Sequence, residues 1–177
     1  MIQKLTYEQI NRRHQTFRPA RRHPVSILLE NVRSAYNVGS VLRTADAGYL
    51  ENVYCAGITA TPNHRSVAKT ALGAQESVPW QKVSDAVELA RHLRSNGIHL
   101  AALEQTKEPA SWGELHAGHF PLCLVVGNEI SGVSDALLRE CDVALEIVQY
   151  GEKQSLNVSV AAGIAVYRLL DRLHSGL

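Results

Sequence analysis

The stretch that decides the fold is Pro-Leu-Cys-Leu-Val-Val-Gly-Asn-Glu-Ile-Ser-Gly, residues 121–132. Its first part is apolar without alternation, which predicts a strand over 121–127 that is buried on both faces. The second part places Gly127 and Gly132 around Glu129, a pattern typical of a tight loop with exposed backbone amides. A simple strand-to-helix turn uses glycine but needs no carboxylate. We therefore expect Glu129 to orient backbone groups or a partner side chain, or to bind a cation.

Four further apolar runs predict strands, and helical patterns separate them. The other predicted strands are 25–30, 52–57, 98–104 and 143–148; the predicted helices are 7–15, 37–47, 66–72, 85–96 capped by Ser84, a short one opening at Ser134, and 157–173. This alternation predicts an α/β fold whose parallel sheet is covered by helices on both faces. We expect a basic N-terminal helix and arm at 1–24 and an α/β domain at 25–177. In such sheets ligands bind at the carboxyl ends of the strands.

Two more polar segments follow predicted strands. Residues 37–45 open the first helix of the domain, with Asn37 as its expected cap. Gly39 near the start of a helix costs about 1 kcal/mol relative to alanine, so we expect another part of the chain to approach its backbone closely. Residues 154–159 offer more capping side chains than one helix needs, and the surplus groups are candidates for binding. These side chains are Ser155, Asn157 and Ser159.

The net charge of +1 is unevenly distributed along the chain. Residues 1–24 carry six Lys or Arg and one Glu, which gives +5, so the remaining residues sum to −4. A basic arm on a mildly acidic body favours a polyanionic partner such as nucleic acid, although a solvated basic helix face gives the same pattern.

Composition and motifs exclude several classes of protein. No apolar run approaches the ~18 residues that cross a bilayer, and the N-terminus has no signal-like apolar region, so we expect neither a membrane nor a secreted protein. The three cysteines are scattered, which argues against a disulfide framework and fits a reducing cytoplasm. Glycine-rich nucleotide-binding fingerprints are missing. We interpret His116 and His119 as loop histidines and expect no metal.

The three polar segments, taken in order, resemble the sequence motifs of the SpoU/TrmH branch of the SPOUT RNA methyltransferases, over about residues 25–172. The resemblance implies an α/β fold with a deep C-terminal trefoil knot. It also implies S-adenosylmethionine as cofactor and a ribose 2′-hydroxyl of tRNA or rRNA as methyl acceptor. By position, the cofactor is then bound by backbone groups of Leu103, Gly127, Ile147 and Leu156.

The resemblance also implies catalytic roles. The residue that matches the family's proposed base is Arg43, although a guanidinium with a pKa above ~12 is better suited to hold a phosphate and polarise the hydroxyl. The groups expected to position Arg43 and the phosphate are Asn37, Glu129, Ser155 and Asn157.

Partners follow from the same comparison. We expect RNA to be held by the arm arginines, which are Arg12, Arg13, Arg18, Arg21 and Arg22. The last helix is apolar nearly all round, and with Ala161, Ala162 and Gly163 permitting close approach we expect a homodimer. A non-catalytic RNA-binding or assembly protein that keeps the fold is the alternative. An unrelated nucleotide-dependent oxidoreductase is disfavoured by the missing phosphate-binding fingerprint.

Overall fold

The structure, a computed structural model, describes residues 2–175. Its strands are β1 (His23–Glu30), β2 (Leu50–Ala56), β3 (Trp80–Val83), β4 (His99–Leu103), β5 (Leu122–Val126) and β6 (Val143–Leu145). Its α-helices are α1 (Tyr7–Phe17), α2 (Ala35–Ala47), α3 (Arg65–Ala71), α4 (Ala74–Ser77), α5 (Ala86–Ser95), α6 (Asp135–Leu138) and α7 (Val158–His174).

All six strands form one parallel sheet in the order β3-β2-β1-β5-β4-β6. The register pairs Leu29 with Val126 and Leu103 with Leu145, so β1, β5, β4 and β6 all end at the same edge. The predicted parallel sheet is confirmed, and the three polar loops leave from this edge. The trefoil knot remains a prediction, since strand order and register do not define it.

Apolar side chains from both faces of the sheet form two cores. On one face, Ile27 and Leu124 pack with α2, α3 and α7; on the other, Leu28 and Val125 pack with α5 and α6. Helices therefore cover both faces, as predicted. Ala162 is fully buried in the first core, so our expectation that it permits close approach of a second subunit is wrong.

Several local predictions need correction. Ser34, not Asn37, caps α2, because its side chain accepts the Asn37 N–H while Asn37 is one turn inside the helix. Asp85, not Ser84, caps α5 by accepting two backbone N–H groups. β6 stops at Leu145 rather than 148. The half-polar edge strand β3 and the single turn α4 were not predicted, since neither has a clear apolar pattern.

Gly39 confirms the expected close approach. A Cβ at this position would collide with Thr70 and with the backbone of Val67, so α3 can lie directly on α2 only because residue 39 is glycine.

The basic arm lies at the opposite edge of the sheet from the polar loops. A capping box of Thr6 and Gln9 starts α1, which buries none of its residues. The arm then enters β1 at His23, the amino-terminal end of that strand. Among residues 2–175, no helix is both long and apolar enough to span a membrane.

Candidate active site

One hydrogen-bond network joins the three polar loops at the carboxyl edge of the sheet. Glu129 accepts from the backbone N–H of Arg33 (2.9 Å), the N–H of Ser34 (3.0 Å) and the side-chain amide of Asn37 (3.0 Å). The amide of Asn157 in turn donates to the Asn37 side-chain oxygen at 3.1 Å. The expectation that Glu129 orients backbone and a partner side chain is confirmed.

These hydrogen bonds keep Glu129 ionised. Partial burial alone favours the neutral acid, but the N–H groups of Arg33 and Ser34 and the Asn37 amide stabilise the anion and lower the pKa of Glu129 below its usual value. The network is therefore built around a negative charge at neutral pH.

Asn157 has two roles in the third loop. Its side-chain oxygen accepts the N–H groups of Ser159 and Val160 and so caps α7, while its amide holds Asn37. Ser159 donates its hydroxyl to the same oxygen at 2.7 Å. Ser155 is exposed and lines a cavity between the loops. The polar side chains of this segment are therefore divided among capping α7, the hydrogen-bond network and the cavity wall.

The second loop is folded tightly on itself. Asn128 and Gly132 exchange two backbone hydrogen bonds of 3.0 Å, and a Cβ on Gly127 would collide with the backbone of Gly132 and Val133. The Asn128 side chain fixes the turn to β1 by donating to Asn31 O at 2.8 Å. Gly127 is therefore required by close backbone approach, and Gly132 by its positive φ of 67° and by the Glu104 carboxylate, which a Cβ would meet.

Sequence reasoning missed a pair of residues that ties the loops together after β4. Glu104 accepts the Val133 N–H of the second loop at 2.9 Å, and the Gln105 amide donates to Gln154 O of the third loop at 2.7 Å. Their position directly after an apolar strand is the signal that would have singled them out.

A cavity of about 360 Å³ lies between these loops, within the range of small-molecule sites. Leu103, Gly127, Ile147 and Leu156, the four predicted cofactor-binding residues, all line it. Its apolar part includes Val126, Leu145, Val158 and Ala161. Three glutamates are among the lining residues, Glu104, Glu129 and Glu146, whereas no Lys or Arg of residues 2–175 is. The cavity therefore favours a partly apolar ligand that carries positive charge.

Arg43 is not part of this network. It is exposed on α2, six residues and about 9 Å along the helix axis from Asn37, and it does not line the cavity. The structure thus brings together Asn37, Glu129 and Asn157, places Ser155 at the cavity wall, and leaves Arg43 facing solvent.

The arm arginines differ in their contacts. Arg22 donates to Leu50 O at 2.9 Å and to Ser77 O at 2.6 Å, so it fastens the arm to the domain. Arg18 lies over the ring of Tyr49, 4.6 Å from its centroid. The remaining three, Arg12, Arg13 and Arg21, are exposed.

Neither thiol nor metal chemistry is indicated in the described part of the chain. Burial raises the pKa of Cys55 to about 11 and the pKa values of Cys123 and Cys141 to about 12, so these thiols are neutral at physiological pH. No group of three or more His, Cys, Asp or Glu side chains within 2–175 is arranged to hold a metal ion.

Comparison with known proteins identifies relatives for most of the chain. The sequence profile of the SpoU rRNA methylase family matches residues 24–167. A Staphylococcus saprophyticus protein named for the TrmH family of tRNA/rRNA methyltransferases is 31% identical over 146 residues, which are 82% of this chain and 58% of that protein. The chain therefore spans about three fifths of the length of the curated relatives it matches.

Solved structures agree. The SpoU methyltransferase AviRb of Streptomyces viridochromogenes, in complex with the cofactor AdoMet, superimposes with a TM-score of 0.79 at 25% identity, covering 89% of this chain and 64% of AviRb. An RNA 2′-O ribose methyltransferase superimposes with a TM-score of 0.74 at 27% identity, covering 89% of this chain and 60% of that protein. With its parallel sheet and linked loops, the chain belongs to the SpoU rRNA methylase family, in the SpoU/TrmH group of SPOUT RNA methyltransferases.

Proposed function

We propose that this protein transfers a methyl group from S-adenosylmethionine to a ribose 2′-hydroxyl of tRNA or rRNA. The observation that carries the proposal is the acidic cavity between the three loops. At its rim, Glu129 accepts a hydrogen bond from Asn37, and Asn37 accepts one from Asn157. The reaction is proposed for the cytoplasm, because the three cysteines are free thiols and a reducing compartment keeps thiols free.

The cavity suits this cofactor. S-adenosylmethionine, when bound, supplies an electrophilic methyl group on a sulfonium ion. The positive charges of its sulfonium and ammonium groups are complemented by Glu104, Glu129 and Glu146. Its adenine fits backbone N–H and C=O groups, for which we propose Leu103, Gly127, Ile147 and Leu156. A dinucleotide with its phosphates fits poorly, because the carboxylates would repel them.

The chain's own residues supply alignment. Displacement at a methyl group needs the acceptor oxygen, the carbon and the sulfur in line, so holding the ribose correctly is much of the catalysis. Asn37 and Asn157, fixed by Glu129, offer amide groups for the ribose, and Ser155 offers a hydroxyl at the cavity wall. The ribose oxygen would form its new C–O bond as the C–S bond of the methyl donor breaks, and the hydroxyl proton would pass to solvent water. Arg43, which is exposed to that solvent, would hold the neighbouring phosphate and polarise the hydroxyl.

RNA and a second subunit complete the proposal. The arm enters at the amino-terminal end of β1, whose eight residues span about 26 Å, so it is remote from the cavity of its own protomer. In a homodimer the partner's arm can lie closer to that cavity. Val160 and Tyr167 on α7 are each about half exposed (50% and 52%) and offer apolar surface for the contact.

Calorimetry and methyl incorporation test the function. We expect S-adenosylmethionine to bind and NADH not to bind, and labelled methyl groups to pass to bulk RNA. Arg43→Ala should abolish transfer while cofactor binding stays within about twofold. Cofactor binding without transfer to any RNA would favour the non-catalytic alternative, and binding of NADH instead would favour an oxidoreductase.

A further inference from the structure

An exposed aromatic side chain stands next to the catalytic network without an assigned role. Tyr36 directly precedes Asn37 on α2, and 52% of its surface is exposed. Its phenol group makes no hydrogen bond within residues 2–175, so the ring is not held there by a polar contact of its own. An exposed tyrosine face is a platform on which a nucleic acid base can stack.

Helix α3 is fixed beside this tyrosine. The Thr70 hydroxyl donates to Tyr36 O at 2.9 Å, and Gly39 lets the α3 backbone lie directly on α2. Because Val67 and Ala71 face the core, Arg65 and Lys69 lie on the outer side of α3. Tyr36 and Arg43, seven residues apart, share the outer side of α2.

The surface formed by these two helices is positively charged. We call it the α2–α3 ridge; its members are Arg33, Tyr36, Arg43, Arg65 and Lys69, all exposed. None of its four cations is in an ion pair within residues 2–175, where the ion pairs involve only Arg91 and Arg94. The carboxylates near the ridge are Glu129, which accepts the Arg33 N–H at the cavity end, Asp46, which accepts from the Ser77 hydroxyl, and Glu76 on α4. Asp46 and Glu76 lie toward the far end of the ridge from the cavity, and Glu129 is already bound by three donors.

We propose that the α2–α3 ridge binds the target nucleotide of a single-stranded RNA segment, with its base stacked on Tyr36 and flanking phosphates on Arg33, Arg65 and Lys69. The ribose of a base stacked on Tyr36 lies beside Asn37, and so at the rim of the cavity. Stacking requires a base freed from a duplex, so the ridge selects unpaired RNA. This inference rests on the proposed function for the identity of the ribose as substrate, but the binding surface is testable without methyl transfer.

The aromatic part is tested by binding of poly(U) and of a poly(A)·poly(U) duplex, measured by fluorescence anisotropy at fixed salt. We expect the wild type to prefer poly(U), and Tyr36→Ala to weaken poly(U) binding by about 5- to 150-fold, the range for loss of one stacked base. Tyr36→Phe, which keeps the ring, should stay within about twofold of wild type. Unchanged poly(U) affinity in Tyr36→Ala, or equal loss in Tyr36→Phe, would overturn the stacking role.

The cationic part is tested by the salt dependence of the same binding. Arg65→Ala and Lys69→Ala should each reduce the slope of log K against log salt by about 0.7, one phosphate contact on a single strand. Arg139→Ala is the matched control, because Arg139 is equally exposed but lies beyond α6, on the other face of the sheet. If Arg139→Ala reduced this slope equally, the ridge residues would contribute only general positive charge, and the proposal would be overturned.

Two readouts separate this inference from the proposed function. Size-exclusion chromatography and S-adenosylmethionine binding should be unchanged in Tyr36→Ala, because an exposed side chain is removed from a helix that alanine favours. If wild type transfers methyl groups but the ridge variants bind and methylate RNA normally, the ridge proposal fails and the function stands. If the wild type transfers no methyl groups but Tyr36→Ala still weakens poly(U) binding, the proposed function fails and the ridge proposal stands.

Discussion

Replacing Glu129 by glutamine removes the charge on which the three loops converge. The amide oxygen can still accept from Ser34 and Asn37, but the amide NH₂ then faces the N–H of Arg33, and two donors meet. A hydrogen bond to a charged group contributes about 1.5–3 kcal/mol, and the carboxylate is partly solvated, which reduces that value. We therefore expect Glu129→Gln to lower the free energy of unfolding by about 1–2 kcal/mol at pH 7.

The pH dependence gives this prediction its sign. The pKa of Glu129 is lower in the folded than in the unfolded protein, so its contribution to stability is present above the ordinary value of 4.5 and is lost as the pH falls through the folded value. The stability difference between wild type and Glu129→Gln should accordingly be constant from pH 7 to about 5 and shrink below 4.5.

Urea denaturation at pH 3.5, 5 and 7 measures this difference. The matched control is Glu108→Gln, an exposed carboxylate that accepts no hydrogen bond in the described chain; it should change stability by less than about 0.5 kcal/mol. If Glu129→Gln were as stable as wild type at pH 7, or if the difference grew on acidification, the assignment of Glu129 as an anionic clamp would be refuted.

Three further predictions concern the loop, the arm and the thiols. Gly127→Ala should abolish S-adenosylmethionine binding and lower the free energy of unfolding by about 1–3 kcal/mol, because the new Cβ collides with backbone. Gly151→Ala, which has open space around it, should leave both unchanged. Calorimetry measures the binding, and urea denaturation measures the stability. Neutralising Arg12, Arg13 and Arg21 should reduce the salt slope of RNA binding by up to about 3 without weakening cofactor binding, and equal loss of both would contradict this division. The three cysteines have pKa values of about 11 to 12, and they should react with a thiol reagent at pH 8 far more slowly in the native than in the denatured protein. Rapid labelling of Cys55 or Cys123 in the native protein would contradict their burial.

The sheet and the role of Glu129 were predictable because local sequence specifies them. The uninterrupted apolar run before Gly127 indicates a strand buried on both faces, and a carboxylate between two glycines has no purpose in a simple turn. β3 gave no such signal, because it is an edge strand with two exposed polar residues among its four.

Contacts between residues that are far apart in the sequence could not be predicted from local sequence. Glu104 reaches Val133 and Gln105 reaches Gln154, across 29 and 49 positions, only because β4 lies beside β5 and β6 in the sheet. Asn37 was expected to cap α2, but a cap one turn earlier frees its amide for Glu129. The positive charge of the arm also did not predict that the Arg22 guanidinium donates to two backbone carbonyls.

Alkaline digestion of RNA labelled by the protein tests the central claim most directly. RNA is incubated with S-adenosylmethionine carrying a labelled methyl group and then hydrolysed in alkali, which cleaves only next to a free 2′-hydroxyl. The account predicts that the label is recovered in alkali-resistant dinucleotides and is absent with Arg43→Ala. Label recovered in mononucleotides, as methylation of a base would give, or no label at all, would contradict it.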